Sequence, residues 1–162
     1  MKKKIVLIGL LVILTGCNFE SPTQFSGEAL QDEFLDLEGN AVTFQSILDD
    51  NAGETILVDV WATWCKDCIV GMPTIKELQQ EFPEVKFLFL SLDRSIANWK
   101  NGITKYDLDG LHYYMQSGWD GPFGDFINMN WIPRYMVVDP QGTITLFKAT
   151  KAIDKRIKDA LQ

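Results

Sequence analysis

Two cysteines, Cys65 and Cys68, are separated by two residues in the stretch Trp61 to Cys68, which follows the apolar run Ile56 to Val60 and precedes a helical pattern. A helix N-terminus carries unpaired N–H groups and a partial positive charge, so a cysteine there is held preferentially as thiolate, the form that attacks disulfides. Cys65 is therefore the candidate nucleophile. Cys68, one turn later, is close enough to attack a mixed disulfide formed at Cys65 and release the partner. Two other uses of such a pair compete. A structural zinc site needs four ligands, yet the only other cysteine is Cys17 and the only histidine is His112, so no metal is expected. A purely structural disulfide closing so short a loop would remove only about 2 kcal/mol of unfolded-state entropy. The redox reading is the one adopted.

The elements that must hold this pair can be read from periodicity. Thr55 to Trp61 is a near-continuous apolar strand of the kind buried at the centre of a sheet. Ile69, Met72, Ile75, Leu78 and Phe82 recur every three or four residues, one face of a helix that Pro73 should kink. Val85 to Leu92 predicts a second buried strand, Ile96 to Tyr106 a second helix, and Leu111 to Met115 a third strand that carries His112 in a structural role. Upstream, Phe34 to Leu37 and Ala41 to Phe44 flank Glu38-Gly39-Asn40 as a short hairpin, with a brief helix near Gln45 to Asp49. Downstream, a short helix is expected at Phe123 to Met129. Arg134 to Asp139 and Thr143 to Lys148 then flank a Pro-Gln-Gly turn as a second hairpin. Ile153, Ile157, Ala160 and Leu161 mark a closing amphipathic helix. Strands alternating with helices and ending in a hairpin and a helix specify an α/β sandwich with a mixed sheet.

The chain opens with three lysines, continues with the apolar run Ile5 to Leu14, and reads Leu14-Thr15-Gly16-Cys17. About ten apolar residues are too few to span a bilayer but suit the core of an export signal behind a basic start. Leu-Thr-Gly-Cys resembles the lipobox of bacterial lipoproteins, in which the cysteine is acylated and becomes the first mature residue. The alternative is a cleaved secretory signal that leaves Cys17 as an unpaired thiol. The organisation expected is a signal over residues 1–16, a lipidated polar tether over 17–32 and one domain over 33–162. Cleavage before Cys17 leaves 12 cationic against 22 acidic side chains, a net charge of −10. So acidic a body argues against nucleic acid or anionic lipid as a partner, and leaves attachment to the acyl chains.

The cysteine pair after a buried strand, Pro73 five residues past Cys68, Trp131-Ile132-Pro133 before a strand, and the terminal hairpin resemble the thioredoxin fold. With the lipobox and the stretch from Ile132 to Gly142, the chain is similar to the TlpA/ResA-like group of membrane-anchored thioredoxins. That resemblance implies an α/β thioredoxin-like sandwich with a central mixed sheet, flanking helices and an N-terminal hairpin extension. It implies that Pro133 is a cis-proline facing the cysteines, with the main chain of Ile132 turned toward a substrate strand. It also implies that Asp59, six residues before Cys65, is a buried acid able to accept the Cys68 proton; the other reading is a strand-end aspartate bonded to backbone or water. The lysine that thioredoxins pair with this acid is missing from Phe87 to Leu90.

Trp64 is expected at an apolar docking rim and Trp61 in the core. Trp131 and Phe123 either line the same groove or fill the core, and Arg134 either steers an acidic partner or is an ordinary surface arginine. The implied activity is thiol:disulfide exchange without metal or organic cofactor, reductive in direction, on exported protein thiols and disulfides that include apocytochrome c. A membrane electron donor and a monomeric state go with it, in the cell envelope on the periplasmic or outer side. Asn18 after the lipidated cysteine favours the outer membrane where one exists. The alternatives are a thiol oxidase or isomerase, a thiol peroxidase-like protein, or a binding module on the same fold.

Overall fold

The computed structural model describes residues 21–162, so the export signal and Cys17 lie outside the described residues. In chain order the elements are α1 (Gly27–Leu30), β1 (Glu33–Leu35), β2 (Ala41–Thr43), α2 (Phe44–Asp49), β3 (Ile56–Trp61), α3 (Lys66–Glu81), β4 (Lys86–Ser91), α4 (Ile96–Tyr106), β5 (Leu111–Tyr114), α5 (Pro122–Phe126), β6 (Arg134–Val138), β7 (Ile144–Ala149) and α6 (Lys155–Leu161). Seven strands form one mixed sheet in the order β2-β1-β5-β4-β3-β6-β7. β3, β4 and β5 run parallel, while β6 runs antiparallel to β3 and β7 antiparallel to β6.

Every residue of β3 is buried, and so is all of β4 after Lys86, because the parallel centre is covered on both faces. α3 and α4 are the crossovers that parallel pairing requires. α4 is capped by Ser95, whose hydroxyl accepts the Asn98 N–H. α3 runs unbroken from Lys66 to Glu81 with Pro73 inside it, giving up the hydrogen bond that a residue 73 N–H would make one turn back. Among the described residues, no helix is long and apolar enough to cross a membrane.

The expected tether is a folded strap over its described part. The Thr23 carbonyl accepts the Ile144 N–H at 2.8 Å, tying the segment to the start of β7. The Phe25 ring packs edge-on against Phe44 at 4.9 Å and lies 5.4 Å from Phe126. Ser26 caps α1, Ala29 is fully buried, and the Asp32 carboxylate accepts the Phe123 N–H and the Ser117 hydroxyl, both at 2.9 Å. The segment's polar composition conceals this because the aromatic rings and strand that hold it come from distant sequence. Of the two positions open to Phe123, the structure gives the core: its ring sits 4.6 Å from Phe44 and 5.6 Å from Phe34. The closing helix also starts later than the apolar spacing suggests, capped by Asp154, and leaves Ile153 outside it and 78% exposed.

Candidate active site

β3 ends at Trp61 and a tight turn follows, in which the Cys65 N–H donates to the Ala62 carbonyl. The turn is pinned from just beyond β4. Buried Asp93 accepts the Thr63 N–H at 3.0 Å and the Thr63 hydroxyl, and also takes the Ser91 hydroxyl at 2.9 Å. The Trp64 indole N–H donates to the Leu92 carbonyl at 3.3 Å, fixing that ring beside the turn.

Cys65 is therefore the N-cap residue of α3, with its Sγ accepting the Cys68 N–H at 3.1 Å. A sulfur so held meets the partial positive end of a 16-residue helix, which stabilises its thiolate over its thiol. The two cysteines form a disulfide. Cys65 keeps 6% of its surface exposed and Cys68 only 1%, so an incoming sulfur can reach the first and not the second.

The Ile132–Pro133 peptide is cis, and the Ile132 carbonyl oxygen lies 3.6 Å from Cys65 Sγ. The last β3–β6 pair joins Val60 to Arg134, so the Ile132 main chain stands just beyond the ladder. A cleft of about 400 Å³ opens over the disulfide between Trp64, Trp119, Trp131 and Ile132. Beside it runs a second groove that shares Trp131 and Asp67 and reaches Val70 and Ile153. Of the six large exposed apolar side chains among the described residues, Trp64 and Trp131 line the cleft at Cys65, and Val70 and Ile153 line the groove beside it. An exposed apolar rim around a reactive group is what a site for polypeptide substrates requires.

Asp59 is 2% exposed, and neither of its carboxylate oxygens has a hydrogen-bond partner among the described residues. Desolvation raises its pKa from 3.8 to about 8. Directly opposite across the β3–β6 ladder stands Tyr135, whose phenol is pushed up first by burial and then by the charge of Asp59. The Tyr135 hydroxyl reaches α3: a methyl group on Gly71 would come within 3.1 Å of it.

Arg134 requires a correction. It is fully buried and donates to the carbonyls of Ile127 and Asn128, so it clamps the segment after α5 and cannot meet a partner. Burial lowers its pKa, the expected sign for a desolvated cation. His112 is also buried, its ring stacked on Phe89 at 5.1 Å with Nε2 3.1 Å from the Leu108 carbonyl oxygen.

A thioredoxin-like family profile matches residues 53–144, more than half of the chain. The chain belongs to the thioredoxin-like family. A prokaryotic membrane lipoprotein lipid attachment site matches residues 1–18. Among curated relatives, the thiol-disulfide oxidoreductase ResA of Bacillus cereus is 30% identical over 122 residues, covering 67% of this chain and 68% of that one. The thiol:disulfide interchange protein DsbE of Yersinia pestis is 29% identical over 149 residues, covering 86% and 75%. Among solved structures, a Bacteroides vulgatus protein described as a thiol-disulfide oxidoreductase superposes with a TM-score of 0.64 at 33% identity, covering 78% of this chain and 81% of that one. These thioredoxin-like relatives carry the chemistry that the sulfur pair here is built for. Thiol–disulfide exchange is the reaction of this site.

Sequence reasoning missed two members of the site. Trp119 lines the cleft from a loop whose Gly and aromatic content reads only as irregular chain. Asp93, which pins the turn before Cys65, follows a strand by two residues, a position that many solvated aspartates share.

Proposed function

We propose that this thioredoxin-like protein reduces disulfides of exported polypeptides while anchored through Cys17 in the cell envelope. The Cys65 thiolate attacks one sulfur of a partner disulfide, forming a mixed disulfide and releasing the other partner sulfur as thiolate. Cys68, deprotonated, then attacks Cys65 Sγ, which closes the Cys65–Cys68 disulfide and frees the second partner sulfur. Two electrons pass to the partner, and a membrane electron donor must return them. The sulfur pair carries both electrons, so the reading calls for no metal or organic cofactor. Asp59 is the proton acceptor for Cys68: a buried carboxyl raised to about 8 can take up a proton near neutral pH. The apolar rim and the Ile132 main chain bind an extended substrate segment by backbone pairing, tolerant of its sequence. Apocytochrome c with its cysteines oxidised to a disulfide fits that description, as do other exported disulfides, and the outer membrane is the favoured location where the cell has one.

The observation that carries the reading is the Cys65 sulfur at the helix N-cap, accepting the Cys68 N–H and open to the cleft. Substrate trapping tests it. Cys68→Ala should accumulate a mixed disulfide through Cys65 and Cys65→Ala should not; if Cys65 in the reduced protein resists alkylation near neutral pH, the reading fails. Direction is tested by the reduction potential. A value below about −250 mV supports a reductase, and one near −120 mV would make the protein an oxidase.

A further inference from the structure

Charge on this chain is segregated. Residues 21–143 hold seven Lys and Arg against nineteen Asp and Glu, net −12, whereas residues 144–162 hold five against two, net +3. The cationic stretch is β7 and α6, at one edge of the sheet. Lys148, Lys151 and Lys155 are exposed. The four ion pairs among the described residues engage Lys158 and Arg156 in this region and none of those three lysines.

The strap ends on the same face. Ser21 and Pro22 line one groove with Lys148, Thr150 and Arg156. Only four peptide links separate Ser21 from Cys17, a span of at most about 14 Å. The Debye length at physiological ionic strength is about 8 Å, so a face held this near a bilayer feels its surface charge while the far side of the domain does not. We infer that the β7–α6 face is a membrane-docking surface for the anionic headgroups of the bilayer in which the chain is anchored. This rests on the reading of Cys17 as the acylated residue. The acidic body adds to the effect, since headgroup charge repels it and attracts the lysines, turning the domain one way round. Thr150 and Lys151 lead directly into the groove beside Trp131, so docking holds the redox cleft near the headgroups, within reach of membrane-bound partners.

The test uses the full chain matured in cells, purified with its lipid and reconstituted into vesicles containing phosphatidylglycerol or made of phosphatidylcholine alone. Acetylation by an amine-specific reagent is followed by mass spectrometry at each lysine, and the mass of the Cys17 peptide is read in the same run. Docking predicts slower acetylation of Lys148, Lys151 and Lys155 in the anionic vesicles only, with Lys86 and Lys105 unchanged, and loss of the protection at high salt. Each neutralised lysine should lower the docked-to-free ratio roughly five-fold. Protection of Lys151 should therefore fall sharply in a Lys148→Gln, Lys155→Gln double variant. Equal rates in the two vesicles on an acylated protein overturn the docking surface and leave the anchor intact. A Cys17 peptide without acyl mass overturns the anchor and the docking surface together.

Discussion

Asp59 allows the sharpest quantitative test. Its carboxyl has a pKa of about 8 in the folded chain against 3.8 in an exposed one, because burial disfavours its charged form. Between those values the folded protein binds a proton that the unfolded chain has released, so stability is retained in full below pH 3.8 and lost as pH rises toward 8. Each pH unit in that window costs about 1.4 kcal/mol, which accumulates to about 4 kcal/mol at pH 7. Asp59→Asn replaces the acid with a neutral isostere that suffers a similar desolvation at every pH. Its stability relative to the natural protein should therefore rise by about 4 kcal/mol between pH 4 and pH 7, then level off above pH 8. Urea denaturation of the oxidised proteins at several pH values measures this directly, since oxidised cysteines do not titrate. Stability curves that run parallel from pH 5 to 8 would refute the burial argument and, with it, a proton acceptor poised near neutral pH. In the reduced proteins the same substitution should slow the Cys68 resolving step and flatten its rise with pH, with the alkylation rate of Cys65 little changed.

Two further outcomes follow from the packing. Phe25→Ala should cost about 2 kcal/mol in denaturant unfolding, because a half-buried ring leaves the aromatic cluster of Phe44, Phe123 and Phe126; a residue in a free tether would cost nothing. Arg134→Leu should cost about 3 kcal/mol by stripping charged donors from the carbonyls of Ile127 and Asn128. Because Arg134 never reaches the cleft, its loss should leave the salt dependence of partner reduction unchanged, whereas a steering arginine would alter it.

The strand, turn and helix around Cys65 and Cys68 were legible in the chain because each depends on near neighbours. An apolar run, a break and a 3.6-residue period sit consecutively, and the helix that results must put Cys65 at its N-cap. Ile132 and Pro133 were readable only through family likeness, since nothing local tells a residue that it will face a sulfur 67 positions away. Arg134 shows the limit from the other side. A cation beside an active-site proline reads as a binding group, and only the carbonyls of Ile127 and Asn128 folding back over it turn it into a buried clamp.

Composition likewise hid two properties that are written in the chain. The polar stretch around Phe25 has one aromatic ring and no period, too little to imply burial, until four distant segments supply Ile144, Phe44, Ser117 and Phe123 as its partners. The net charge of the whole chain argued against an anionic surface, while its last nineteen residues carried the opposite sign. By itself, then, the sequence determined the reaction and the order of elements, since thiol chemistry and periodicity are local. Tertiary structure alone decided which acids and cations lose water, which tryptophans remain exposed and where the anchored end of the domain emerges. Burial and adjacency belong to pairs of residues far apart in the chain, and no single segment contains them.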